Sequence, residues 1–155
     1  MADMVTAELK DVVLWGRDGR EGAEIDDPAH FGVRAQLFIG ERGYDLSDSF
    51  DVVVCSASWL AQEVAAGRTD QFAGELIGDM DGSVLPGAGV WLMQRWDREA
   101  FERNVRLVCA TLSPGPDWGS VASRISRLLP WEYDYRYDDH VDSRFGSPFP
   151  PPRTT

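Results

Sequence analysis

Two cysteines and two histidines in 155 residues leave little material for the chemistries those side chains carry. Cys55 and Cys109 sit in apolar runs, VVVCS and RLVCAT, the setting of buried free thiols and not of a disulfide framework. Zinc requires several clustered Cys or His ligands, and these four residues are scattered along the chain. His30 lies in an acidic stretch, and His140 lies near the tail beside Asp138 and Asp139, where a histidine reads as a solvated residue. No G-x-S-x-G nucleophile elbow occurs. Long apolar runs are missing too, so nothing approaches a membrane span. The first ten residues place Asp3 and Glu8 before the first base and hold no apolar segment, unlike a signal peptide. The expectation is a soluble cytoplasmic protein without metal or cofactor and not an enzyme. Lys10, the only lysine, stands against fourteen arginines and supports no inference by itself.

Acids are what the chain has in excess. Twenty-six Asp and Glu against fifteen Lys and Arg give a net charge of −11, and its placement is uneven. Gly16–His30 carries five acids against two bases, Glu41–Asp51 and Gly67–Ala88 four against one each, and Trp131–Asp142 five against one. Everything outside those four segments is slightly basic. Between Asp97 and Leu129, for example, four acids face five arginines. An acidic surface built by loops repels nucleic acid and anionic lipid and attracts a basic partner.

Seventeen aromatic residues and 43% hydrophobic content describe a folded chain long enough for one sizeable core. Thr6–Trp15 reads as a first strand, and Phe31–Gly40 alternates with Val33, Ala35, Leu37 and Ile39 on one side and Arg34 and Gln36 on the other. Phe50–Ser56 is a more continuous apolar run, as in a central strand covered on both faces. Glu41–Ser49 has the composition of an antiparallel connection. Ser56 or Ser58 caps a short helix through Trp59, Leu60 and Val64 that ends at Gly67. Gly67–Ala88 is a glycine-dotted stretch with one helical turn expected near 71–77, and Val90–Trp96 reads as a further strand.

Asp97 caps the best helix, with Phe101, Val105, Val108 and Leu112 on one stripe and Glu99–Arg103 and Glu102–Arg106 pairs outside. Asp117 opens another helix carrying Trp118, Val121, Ile125 and Leu128, with Arg124 and Arg127 suited to its C-terminal dipole. Trp131–Tyr137 alternates Trp131, Tyr133, Tyr135 and Tyr137 against Glu132, Asp134 and Arg136, the pattern of a half-buried strand. The predicted fold is α+β: a single domain over residues 1–137 with a mostly antiparallel sheet of about five strands packed against two to three helices. Residues 138–155 form an acidic, then proline-rich tail expected to be poorly ordered.

Several motifs fail on context. Gly87-Ala88-Gly89 leads into a strand and not a helix, so it does not cradle phosphate. Asp79-Met80-Asp81-Gly82 echoes a calcium loop but lacks the remaining ligand positions. Asp26-Asp27-Pro28 pairs two carboxylates, yet an acidic loop turning at proline accounts for it equally well. The aromatics of Trp131–Tyr137 are flanked by acids and not arginines, which suits a protein-binding edge better than base stacking. Such an edge strand could also pair with a copy of itself, leaving a homodimer open.

Asp27-Pro28-Ala29-His30-Phe31-Gly32, then Ile39-Gly40, then Val54-Cys55 with Trp59-Leu60 occur in order at spacings that resemble the immunity protein 8 family, small bacterial proteins of polymorphic toxin systems. The likeness extends through Ala7-Glu8-Leu9-Lys10 and Arg95-Trp96-Asp97 to about Tyr137. The 67–88 segment is longer than the family pattern leads one to expect, and the proline-rich tail lies outside it. Most matching positions are apolar or glycine, hence fold determinants. The resemblance implies a protein that binds and neutralises a cognate toxin domain without catalysis.

A basic nuclease would suit the acidic loops, which accelerate encounter, while aromatic contacts slow release. The candidate contact residues are Asp26, Asp27, Asp45, Asp48, Asp79, Asp81, Tyr135, Tyr137, Asp138 and Asp139. The competing readings are a protein-binding adaptor or regulator unconnected to a toxin, and a small-ligand-binding protein. A toxin gene next door separates the first from immunity; a co-purifying small molecule would support the second.

Overall fold

Alternation at period two builds the centre of the sheet. In the computed structural model, which describes residues 3–68, 85 and 89–133, β1 (Ala7–Trp15), β2 (Gly32–Glu41) and β3 (Asp48–Cys55) form an antiparallel meander. Val33, Ala35, Leu37 and Ile39 all point into the core, as their spacing predicts. On β1 the alternation slips at Lys10, where a bulge lets Ala7 and Val12 both reach the buried face. On β3, Phe50, Val52 and Val54 are fully buried, but Asp51 and Val53 are only half covered. The expectation of cover on both faces is therefore corrected at Asp51 and Val53, whereas Cys55 at the end of the strand is buried. Trp15 Nε1 donates to Gln36 Oε1 at 2.9 Å, Gln36 donates to the Ser49 hydroxyl at 2.9 Å, and Arg34 meets Asp51 at 3.1 Å.

Among the described residues the sheet has four strands in the order β1-β2-β3-β4, one fewer than expected. β4 is only Val90–Leu92 and runs parallel to β3, because the chain reaches it through a crossover that begins with α1 (Ala57–Ala65). Beyond Leu92 the backbone leaves the sheet: Trp96 N–H donates to the Pro28 carbonyl at 2.8 Å. Of the strand expected over Trp131–Tyr137, residues 131–133 are described, and among them Trp131 forms a bridge with Phe50. There the Pro130 carbonyl accepts from Asp51 and Glu132 N–H donates to Ser49, both at 2.9 Å. Tyr135 and Tyr137 lie outside the described residues, as do the turn expected near 71–77 and the tail.

Two helices cover the inner face. Asp97 caps α2 (Arg98–Thr111) by accepting from Ala100 N–H, and Asp117 caps α3 (Trp118–Ile125) by accepting from Ser120 N–H. Phe101, Val105 and Cys109 seal α2 to the sheet, each large apolar side chain contributing about 1.5–3 kcal/mol by leaving water. Of the two expected surface pairs, Glu102–Arg106 forms at 3.2 Å. Glu102 takes Arg98 as its other partner at 2.8 Å, and among the described residues Glu99–Arg103 does not form. α3 ends at Ile125, five residues before Pro130, and the apolar stripe shifts: Leu129 is buried while Leu128 stays 48% exposed. Arg124, expected to serve the helix dipole, donates to the carbonyls of Leu112 and Pro114 at 3.0 Å and ties the α2–α3 linker down.

Asp48 holds the far corner of this layer. Its Oδ2 accepts from Trp118 Nε1 at 2.7 Å and from Trp131 Nε1 at 2.9 Å, and the two indoles flank the fully buried Phe50. Replacing Asp48 with Ala leaves both indole N–H groups without their charged acceptor. Chemical denaturation should show a loss of about 1.5–3 kcal/mol, with the Asp48→Asn variant falling between. Cys55 and Cys109 are free and buried, and burial pushes each thiol up to about 11. Both should resist a maleimide reagent near neutral pH in the folded protein and react once it is denatured.

Candidate functional site

The groove between the β1–β2 loop and α1 is lined by the charged side chains of Arg17, Glu24, Asp26, Asp27, Glu63 and Arg68. It starts from a junction at the end of β3. Ser56 N–H donates to the Phe31 carbonyl at 2.9 Å, and its hydroxyl oxygen accepts from Phe31 N–H at 3.1 Å and from Trp59 N–H at 3.2 Å. One residue thereby ties the start of β2 to the start of α1. Gly32 has the strand parity of Arg34, so it faces the outer side of the sheet. A Cβ there would collide with the Trp59 indole, so the tryptophan packs directly on strand backbone. Phe31, beside it, is buried against Trp96 with ring centroids 5.6 Å apart.

The loop running into this junction is pinned along its length. Gly22 and Ala23 N–H groups donate to the Leu14 carbonyl at 2.8 and 3.2 Å, and Gly19 and Gly22 adopt φ of +79° and +80°. Ala23 and Ile25 then pack on the core while Glu24 and Asp26 point outward. Asp27 closes a turn, its Oδ1 accepting from Ala29 N–H at 3.0 Å. Glu24 and Asp26 have no cationic partner among the described residues. Geometry thus fixes the backbone and leaves the acids free.

Across the groove, the side chain α1 buries is Glu63, at 1% exposure, and not the Leu60 and Val64 expected of its stripe. The helix ends in a Schellman motif: Gly67 at φ +69°, with Arg68 N–H donating to the Glu63 carbonyl at 2.9 Å and Gly67 N–H to that of Val64 at 3.1 Å. That turn brings the Arg68 guanidinium back onto the Glu63 carboxylate at 2.6 Å, and Arg17 closes on Oε1 from the loop. Arg17 also sits over the Trp59 ring, 5.6 Å from its centroid. The Arg68 hydrogen bond above all, with Arg17 adding to it, holds the Glu63 carboxyl below its ordinary value against the opposing effect of burial. The same bond raises the pKa of Arg68.

Sequence reasoning missed this triad, because Glu63 falls in a helix whose neighbours are apolar and its partners lie in two separate turns. His30, also on the groove, has Nδ1 at 2.9 Å from the Ser58 hydroxyl. No carboxylate orients its other nitrogen among the described residues, and no three His, Cys, Asp or Glu side chains there gather to hold a metal ion.

Of the ten contact candidates, the structure brings Asp26 and Asp27 together on this groove. Asp45 and Asp48 lie at the opposite end of β2, about 30 Å away at 3.3 Å per residue. Asp45 is exposed in the β2–β3 connection, whereas Asp48 is committed to its two indoles. Asp79, Asp81, Tyr135, Tyr137, Asp138 and Asp139 lie outside the described residues.

These elements make a braced α+β domain with an open charged groove. The chain belongs to the immunity protein 8 family, whose model matches residues 7–135. No curated protein and no solved structure matches it. The residues that carry the resemblance are the ones that build the junction: Asp27 turns the loop, Pro28 accepts from Trp96, Phe31 and Gly32 pack on Trp96 and Trp59, and Cys55 is buried before the Ser56 cap. Among the described residues no helix is long and apolar enough to cross a membrane.

The Glu63 triad carries a pH signature. A carboxyl whose folded pKa lies below its ordinary 4.5 contributes stability that is present above that value and lost as pH falls through the folded one. Glu63→Gln should cost about 1–3 kcal/mol at neutral pH. In urea titrations repeated at decreasing pH, the gap from the unaltered protein should begin to close below pH 4.5; a gap independent of pH would rule out a charged Glu63 as its source.

Proposed function

We propose that this protein is an immunity protein that binds a cognate toxin domain in the bacterial cytoplasm and neutralises it by occupying its surface, without catalysis. The family match over residues 7–135 carries the reading. The groove supports it physically. Glu24, Asp26 and Asp27 project from a loop whose backbone is already ordered, so docking them costs little conformational entropy. Their charge, within a chain of −11, suits a basic partner such as a nuclease, whose substrate groove is positive. Trp59, stacked under Arg17, offers an aromatic surface beside the acids. Asp79, Asp81 and the Tyr135–Asp139 segment are further contact candidates on sequence grounds, as is self-pairing of that segment.

The test is co-expression with the toxin domain encoded by the adjacent gene. Growth should be rescued and a complex should co-purify; failure of both removes the immunity reading. Steering has its own check. Glu24→Lys/Asp26→Lys spares Asp27, whose carboxylate holds the turn, and should slow association about ten-fold at low ionic strength while flattening its salt dependence. Association kinetics indistinguishable from those of the unaltered protein would discard the acidic groove as the steering element.

A further inference from the structure

The β2–β3 hairpin carries two large apolar side chains into solvent, Leu46 at 83% exposure and Tyr44 at 61%. Isolated exposed apolar residues are ordinary on a protein surface. These two differ in how firmly their backbone is held. Tyr44 N–H donates to the Glu41 carbonyl at 3.2 Å, across a turn in which Gly43 takes φ +91°. Arg42 N–H donates to the carbonyl of Thr6, the residue before β1, at 2.8 Å. Gly40 lies against the Leu46 carbonyl so closely that no Cβ would fit, which seats the returning arm on the strand. Lys10, displaced by the β1 bulge, reaches across with Nζ to the carbonyls of Glu41 at 3.2 Å and Tyr44 at 2.5 Å. The chain's only lysine is therefore committed to the backbone of this tip.

Asp45 stands between the two apolar residues, exposed and without a cationic partner among the described residues. The nearby Glu8 is already shared by Lys10 at 3.1 Å and Arg42 at 3.8 Å. The tip thus presents an apolar–acid–apolar sequence on an ordered backbone, and its uncompensated charge is negative. A second copy docked tip to tip would bring like charges together, which disfavours self-association. An apolar pocket with a cation on its rim fits.

We propose that Tyr44, Asp45 and Leu46 form a preformed anchor that inserts into an apolar pocket of the toxin domain, with a lysine or arginine on the pocket rim meeting Asp45. The inference rests on the toxin-binding reading and adds a docking element at the opposite end of β2 from the acidic groove. Tyrosine in such a place supplies large contact area at low entropic cost, and a braced backbone loses little further freedom on binding.

Binding kinetics with the toxin domain encoded by the adjacent gene test it, using the unaltered protein, Tyr44→Ala/Leu46→Ser, Asp45→Lys and Lys10→Met, with thermal melts alongside. The double variant should keep the unaltered Tm and weaken Kd at least ~10-fold, mainly through faster dissociation. Asp45→Lys should slow association. Lys10→Met retains both anchors, so it should lose part of the affinity together with faster amide exchange across residues 42–47. If the unaltered protein binds and the double variant binds equally well, the anchor is wrong and the toxin reading stands. If the unaltered protein does not bind, the toxin reading fails and the anchor falls with it. A dimer of the unaltered protein that the double variant disperses would assign the tip to self-association and overturn the proposal.

Discussion

The hydrogen bonds that Ser56 makes to Phe31 and Trp59 position everything that could contact a partner on the groove side. They join the first residues of β2, the last of β3 and the first turn of α1 at one point, beside a glycine that lets an indole rest on strand backbone. From that point the acidic loop arrives on one side and Glu63 follows two helical turns later on the other. Moving the junction by an ångström would move both walls of the groove.

The acids divide into two populations that composition does not distinguish. Asp97 and Asp117 cap helices, Asp48 receives two indoles, and Glu63 neutralises a pair of arginines; these hold the fold. Glu24, Asp26 and Asp45 lie exposed without cationic partners among the described residues, on loops whose backbones are braced by other groups. An excess of negative charge destabilises a compact state by self-repulsion.

How much was legible in the sequence varied with the range of the interaction. The inner face of β2 and the Asp97 and Asp117 caps were readable, and the α1 cap was narrowed to Ser56 or Ser58, because each depends on residues within a few positions of one another. The bulge at Lys10 was legible only as a loosened alternation, since its geometry is set by pairing with β2. Cover on both faces of β3 was expected from its apolar run, but Asp51 and Val53 are only half buried. The role of Lys10 could not be read at all: its acceptors, Glu41 and Tyr44, are carbonyls more than thirty residues away, and a backbone oxygen leaves no mark in a sequence.

By itself, the sequence determined the class of fold, the core face of the sheet, the inert setting of both cysteines and the family to which the chain belongs. These follow from local periodicity, side-chain polarity and ordered motifs, all of which act over short separations. Tertiary structure alone decided that Asp48 and Glu63 are structural acids, that β4 runs parallel to β3, and that Asp26 and Asp45 lie beyond opposite ends of β2. The reason is physical: a carboxylate's role depends on the donors brought to it. For Asp48 those donors lie 70 and 83 residues away, and for Glu63 one lies 46 residues away.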